Sequence, residues 1–215
     1  MSGCRVNLVT ASQCPVTVAD VSKYIALEGG DGSGKTTVAE ALAGRLRDEG
    51  ERVIVVREPG GTPLGEAVRG LLLDSESLDD WAEVYLFAAQ RAELARRVVE
   101  PALSRGEWVI SDRTYYSSIA YQGRARGLGE GTVREINEIG LGGVVPDHVF
   151  VLDVEPMTAL PRQHRPDRIG GEGLTFQEEV RKGYMALADE DERVVVLDGA
   201  LPVADLVERI LEVVR

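Results

Sequence analysis

The run Gly29-Gly30-Asp31-Gly32-Ser33-Gly34-Lys35-Thr36 directly follows the apolar stretch Tyr24-Ile25-Ala26-Leu27, and no other feature narrows the possible folds so far. Glycines let backbone amides turn inward around an anion. A lysine at this offset reaches β and γ phosphates, and the hydroxyl beside it can ligate Mg²⁺. Such a cradle needs a strand before it and a helix after it. Both are predicted: residues 24–27 read as a buried strand, and residues 38–46 as an amphipathic helix whose first turn sits on the anion. A glycine turn that merely caps a helix would need neither lysine nor hydroxyl. Gly29, Gly30, Asp31, Gly32, Ser33, Gly34, Lys35, Thr36 and Thr37 are therefore the candidate nucleotide-phosphate site.

The rest of the chain supplies the scaffold for that loop. Short β-branched runs recur at 52–56 (RVIVV), 108–111 (WVIS), 148–153 (HVFVLD) and 193–197 (RVVVL), with amphipathic stretches between them. That alternation predicts an α/β fold in three layers, a five-stranded parallel sheet with helices on both faces. With 215 residues the chain suits one domain with a substantial core, expected over 23–215, preceded by a loose extension over 1–22. The glycine-rich stretches 123–131 and 170–173 read as mobile connections.

Composition excludes several partners. A formal charge of −12 opposes nucleic acid and anionic membranes, so any bound phosphate must be met by local arginines. No apolar run approaches the roughly 18 residues a membrane helix needs. Segment 1–21 lacks the charged start and long apolar core of a secretory signal. The only cysteines, Cys4 and Cys14, lie close to the start, which argues against a disulfide framework and for a reducing cytoplasm.

Ligands of parallel sheets sit beyond the carboxyl ends of the strands. The residues just after the predicted strands are Glu28, Arg57-Glu58, Asp112-Arg113 and Asp153. Any single pair of this kind could be a surface ion pair or a helix cap. Together they point to more. Arg57-Glu58-Pro59-Gly60-Gly61-Thr62 joins a charged pair to a rigid turn and two glycines, which suits close approach of a second phosphate. Ser111-Asp112-Arg113 brings a carboxylate that can organise hydrated Mg²⁺ and a guanidinium that can neutralise developing charge. Two phosphate sites imply transfer between them.

In order along the chain stand Glu28-Gly29-Gly30-Asp31-Gly32-Ser33-Gly34-Lys35-Thr36-Thr37, the REPGGT run at 57–62, Asp112-Arg113, Tyr121-Gln122-Gly123, Leu152-Asp153-Val154-Glu155-Pro156 and Asp167-Arg168-Ile169. This series resembles the thymidylate kinases from about residue 23 to the end, and REPGGT with a downstream Tyr-Gln-Gly is highly specific. The resemblance implies the fold of a P-loop nucleoside monophosphate kinase with a short lid over about 161–174. It implies phosphorylation of dTMP to dTDP by ATP with Mg²⁺, in the cytoplasm, by a homodimer joined through helices such as the alanine-rich one at 82–97. Lys35 would hold the donor phosphates, Thr36 and Asp112 the metal, and Asp31 would lie near the acceptor sugar. Arg57, Arg69 and Arg113 match arginines around the acceptor phosphate, where a bidentate guanidinium suits a dianion. Glu58 and Asp112 would orient those arginines and the magnesium waters. A phosphate oxygen is already a competent nucleophile, so neither His148 nor His164 needs a catalytic role.

Phe87 and Arg91 are four residues apart on a helix expected over about 78–103, so a ring could stack on thymine while a guanidinium reaches its edge. The spacing alone better suits a core phenylalanine beside a solvated arginine. By resemblance Ser118, Tyr121 and Gln122 line the thymidine pocket, with Tyr121 where a ribose 2′-hydroxyl would go. The phosphate loop holds no arginine, so the catalytic guanidinium is expected from the lid: Arg168, with Arg162 as its reserve and Arg165 beside them. Pro161 and Pro166 interrupt that segment, and Thr114 replaces the aromatic or histidine often found after Asp-Arg. A kinase for another nucleoside monophosphate would share every phosphate argument, and a nucleotide-dependent switch would share the loop without the second arginine cluster.

Overall fold

The computed structural model describes residues 23–162 and 168–215. Cys4, Cys14, the extension over 1–22, His164, Arg165, Pro166 and Asp167 lie outside the described residues. Five parallel strands form one sheet: β1 (Tyr24–Glu28), β2 (Val53–Arg57), β3 (Trp108–Asp112), β4 (His148–Asp153) and β5 (Val194–Asp198), in the order β2-β3-β1-β4-β5. The predicted runs agree with these bounds to within a residue at either end. Nine α-helices are among the described residues: α1 (Lys35–Asp48), α2 (Pro63–Asp74), α3 (Asp80–Leu94), α4 (Glu100–Ser104), α5 (Tyr115–Ser118), α6 (Glu130–Leu141), α7 (Pro156–Ala159), α8 (Leu174–Glu190) and α9 (Val203–Val214). None of the described helices is long and apolar enough to cross a membrane.

β1 is central and wholly buried, with β3 on one side and β4 on the other. The register sets Leu27 opposite both Asp112 and Phe150, and Arg57 opposite Asp112. Glu28, Arg57 and Asp112 thus end their strands along one edge, as expected for a ligand site at the carboxyl ends. Because side chains alternate along a strand, Ile25 and Leu27 pack with Ile110, Phe150 and Leu152 against α1 and α9. α9 presents Leu206, Val207, Ile210, Leu211 and Val214, a 3.6-residue stripe, to that face. Ala26, Val149 and Val151 face the opposite way, toward Phe87, Tyr115, Tyr116, Tyr121, Val180 and Tyr184.

Two expectations need adjusting. The helix predicted over 78–103 is interrupted: Asp79 caps α3 through the backbone N–H groups of Trp81 and Ala82, and a π-helical turn, Ala95–Val99, links α3 to α4. Pro101 has no N–H for the carbonyl four residues back, and the wider turn ends beside it. The stretch 123–131 is packed at Gly123, while Gly127, Gly129 and Gly131 are exposed. Gly123 closes a second π-helical segment, Ile119–Ala125, against the start of α6, where a β-carbon would stand 2.9 Å from Glu130 Cα.

Candidate active site

The phosphate loop spans the gap from β1 to α1. Gly29 (φ +133°) and Gly32 (φ +80°) adopt conformations that other residues resist, and a β-carbon on either would collide with the Leu152 or Ala159 carbonyl at 2.6 and 2.2 Å. Lys35, the first residue of α1, donates to the carbonyls of Gly29 (3.0 Å) and Gly30 (2.8 Å) and to Ser33 Oγ (3.3 Å). Burial and the neighbouring Arg113 guanidinium pull its ammonium down to about 8, against the carboxylates of Asp112 and Asp31. Thr36 Oγ1 donates to Asp112 Oδ2 across the sheet edge. A hydroxyl and a carboxylate in contact are hard oxygen donors, and Mg²⁺ typically takes one or two such groups together with substrate phosphates.

Arg113 leaves β3 in the left-handed region (φ +75°), a conformation that costs a non-glycine residue energy. Its surroundings fix it there. The backbone N–H of Arg113 donates to the Leu27 carbonyl, and its guanidinium donates to Asp31 Oδ1, to Ser117 Oγ at 3.1 Å and to the Gly29 carbonyl at 3.3 Å. The same guanidinium lies 5.1 Å from the Tyr121 ring centre. Behind this turn sits Glu28, fully buried, which accepts from the Thr114 N–H and hydroxyl (both 2.7 Å), Ser117 Oγ (2.6 Å) and Tyr184 OH (2.8 Å). Thr114 and Glu28 are therefore part of the support that orients Arg113, and Glu28 stands where the sequence places it, directly after the run Tyr24-Ile25-Ala26-Leu27.

The REPGGT segment forms the opposite wall. Thr62 caps α2 by accepting from the Gly65 N–H. Arg57 pairs with Glu66 on the surface at 3.0 Å, and Arg69 donates to the Pro59 carbonyl at 2.9 Å. Glu58 turns inward to Arg91 at 2.5 Å, each side chain 2% exposed. Burial pushes the Glu58 carboxyl above the usual range, and the Arg91 guanidinium opposes that rise. Arg91 donates further to Ser118 Oγ (3.1 Å), to Asn137 Oδ1 and to the Thr114 carbonyl (3.2 Å). The solvated-arginine alternative for residue 91 fails on this burial.

One cavity of about 950 Å³ joins these parts, lined by Lys35, Thr36 and Asp112 at one end and by Phe87, Arg91 and Tyr121 at the other. Arg57, Glu58, Arg69, Arg113, Ser118, Gln122 and Arg162 also line it. The structure thus brings the expected donor, metal and acceptor residues to a single space. Among the charged candidates Arg168 is the exception. Its guanidinium donates to the Leu72 carbonyl (3.0 Å) and to Glu83 Oε2 (2.5 Å), against α2 and α3, and it is absent from the cavity lining. The expectation that Arg168 carries the lid's catalytic charge does not fit this placement: both the carbonyl and the carboxylate it meets are fixed on helices away from the loop.

Comparison with known proteins decides the family. A sequence profile of the family described as thymidylate kinase matches residues 27–210. The chain belongs to the thymidylate kinase family. It is 43% identical over 193 residues to a thymidylate kinase of Synechococcus sp. (strain JA-3-3Ab), covering 89% of this chain and 95% of that one. It is 45% identical over 181 residues to a thymidylate kinase of Caldanaerobacter subterraneus subsp. tengcongensis, with 82% and 87% covered. A thymidylate kinase of Deinococcus radiodurans is also 45% identical, over 188 residues that cover 85% of this chain and 91% of the relative. For a thymidylate kinase the arrangement makes chemical sense, since phosphoryl transfer asks the protein for positioning and charge more than for covalent chemistry.

Proposed function

We propose that the chain transfers the γ-phosphoryl group of ATP to dTMP, giving ADP and dTDP. The observation that carries this is the single cavity in which the phosphate loop and an aromatic, arginine-lined pocket share one space. Donor phosphates lie on the loop amides, Lys35 and the N-terminus of α1. The dTMP phosphate is met by Arg57, Arg69 and Arg113, and a phosphate oxygen attacks without a general base. Asp31 holds Arg113 and takes the sugar's 3′ side. Thr36, and Asp112 directly or through water, would hold Mg²⁺, which would supply charge neutralisation to the phosphates. Arg162, at the cavity wall, is the lid residue in position to meet the charge that spreads over the moving group.

Thymine stacks on Phe87. Four of the five Arg91 N–H donors have partners within the protein, and the remaining Nη2–H suits the thymine 4-oxygen. Trp81, Tyr85 and Ile139 are exposed on the packed helices α3 and α6 and form the face through which two copies join. The work belongs in the cytoplasm, where ATP and dTMP are found together. Coupled ADP release over dTMP, dUMP, dCMP, dGMP and AMP tests the assignment. The expected order puts dTMP first, dUMP lower by about 1 to 3 kcal/mol for the missing methyl, and dCMP far below. A higher kcat/KM for another acceptor, or ADP release unaffected by any acceptor, overturns it.

A further inference from the structure

Glu83, Phe87 and Arg91 stand four residues apart on one stripe of α3, yet only the last two line the cavity. Glu83 is fully buried behind it. One carboxylate oxygen accepts from Gln122 Nε2 at 2.7 Å and from Arg126 Nε at 2.9 Å; the other accepts from Arg126 Nη2 at 3.2 Å and from Arg168 Nη2. Two guanidinium groups thus balance a charge that could not otherwise be buried. A carboxylate only accepts, so the end of Gln122 that meets it must be the NH₂ group. The amide oxygen is the end left over. Gln122 is 2% exposed, lines the cavity beside Tyr121, and among the described residues nothing donates to its Oε1.

An amide oxygen accepts from the N3–H of thymine or uracil and repels the N3 lone pair of cytosine. Reversing the amide would invert that preference. We infer that Glu83 is a positioning residue that sets the base selectivity of the pocket by locking the Gln122 carboxamide with its oxygen toward the base. It touches no substrate and acts through Gln122. The inference rests on the dTMP reading above and adds the group that fixes the sign of the readout. Arg168, tied to the same carboxylate and to the Leu72 carbonyl, belongs to this lock and not to the transferring phosphoryl group.

The test compares kcat/KM for dTMP and dCMP in the wild-type chain, in Glu83→Gln and in Gln122→Leu. A glutamine at 83 can face Gln122 with either end of its own amide, so the lock is lost with little change in shape. The dTMP-to-dCMP ratio is expected to fall at least about tenfold in each variant, mainly through a raised KM for dTMP, and no further in the double variant. A folded Glu83→Gln that keeps the wild-type ratio overturns the inference. Because Glu83→Gln leaves two buried guanidiniums without their carboxylate, the wild-type protein gives a second decision. The Gln122 side-chain NH₂ protons, identified in NMR spectra by their absence in Gln122→Leu, are expected to exchange slowly with solvent in the free protein, and fast exchange overturns the lock. No dTMP turnover by the wild-type chain would instead overturn the substrate reading, and the inference with it.

Discussion

The two faces of the sheet are built on different principles. Toward α1 and α9 the packing is apolar: Ile25, Leu27, Leu42, Ile110, Phe150, Ile210 and Leu211 are buried, and apart from Lys35 at the phosphate loop the charged residues of those helices stay outside the core, as Arg45 does in its surface pair with Glu49. Pairs of that kind contribute roughly 0 to 1 kcal/mol each. Toward α3 and α5 the core holds ionic groups. Glu28, Glu58, Glu83 and Arg91 are all at most 5% exposed, each tied to several partners. Burying carboxylates is costly unless they are fully paired, so a cluster of them marks the face on which geometry outranks stability. The same contrast separates the phosphate loop from the lid base, where Arg162 is left at the cavity wall while Arg168 is anchored to helices.

The largest effect expected on the ionic face comes from Lys35→Met. Turnover falls at least about a hundredfold, as when a transition-state donor is removed elsewhere, and the fold survives because this side chain contacts loop carbonyls instead of core. Steady-state kinetics and a melting curve check it; more than a tenth of the wild-type turnover would refute the donor site. Next comes the lid pair. Arg162→Ala is expected to lower kcat by about a hundredfold with little change in dTMP affinity, the signature of an interaction made in the transition state. Arg168→Ala is expected to lower the melting temperature and to cost kcat only about tenfold. A reversed ranking in the same assay restores Arg168 as the catalytic cation and removes Arg162.

A smaller effect concerns pH. In the free protein the Lys35 ammonium loses its proton near pH 8, below its usual range. Bound phosphates favour the charged form, so ATP binding takes up a proton above that pH. Affinity is therefore expected to weaken by roughly tenfold from pH 7 to pH 9 as the unbound lysine deprotonates. The sign for folding runs the other way: this group, less protonated folded than unfolded between about 8 and its ordinary 10.5, adds stability as pH rises through that window. Titration calorimetry in buffers of different ionisation enthalpy reads the proton directly, and pH-independent affinity without proton uptake would contradict the value.

The parts of this protein legible from sequence are those whose chemistry is local. The loop from Gly29 to Thr37 announces itself through glycine spacing, and the strands through β-branched runs, because each signal lies within a few consecutive residues. Glu83 and Asn137 were not legible as site residues. Gln122, Arg126 and Arg168 meet Glu83, and Arg91 meets Asn137, from 39 to 85 positions away in sequence, and only the fold brings them together. The placement of the lid arginines was not legible for a related reason: Asp-Arg-Ile is a well-formed motif, but a guanidinium can serve as an anchor as readily as a catalyst, and residue order does not distinguish the two.

The central claim is that one face of the sheet holds the molecule together and the other holds the arginines in place. The most direct measurement sets Leu42→Ala beside Glu28→Gln, with melting and kcat/KM for dTMP taken on the same samples below both melting points. Leu42→Ala is expected to lose about 2 to 5 kcal/mol of stability with kcat/KM close to wild type. Glu28→Gln, which weakens the support behind Thr114, Ser117 and Arg113, is expected to lower kcat/KM at least about tenfold for a comparable or smaller loss of stability. Equal kcat/KM in the two variants would contradict the claim.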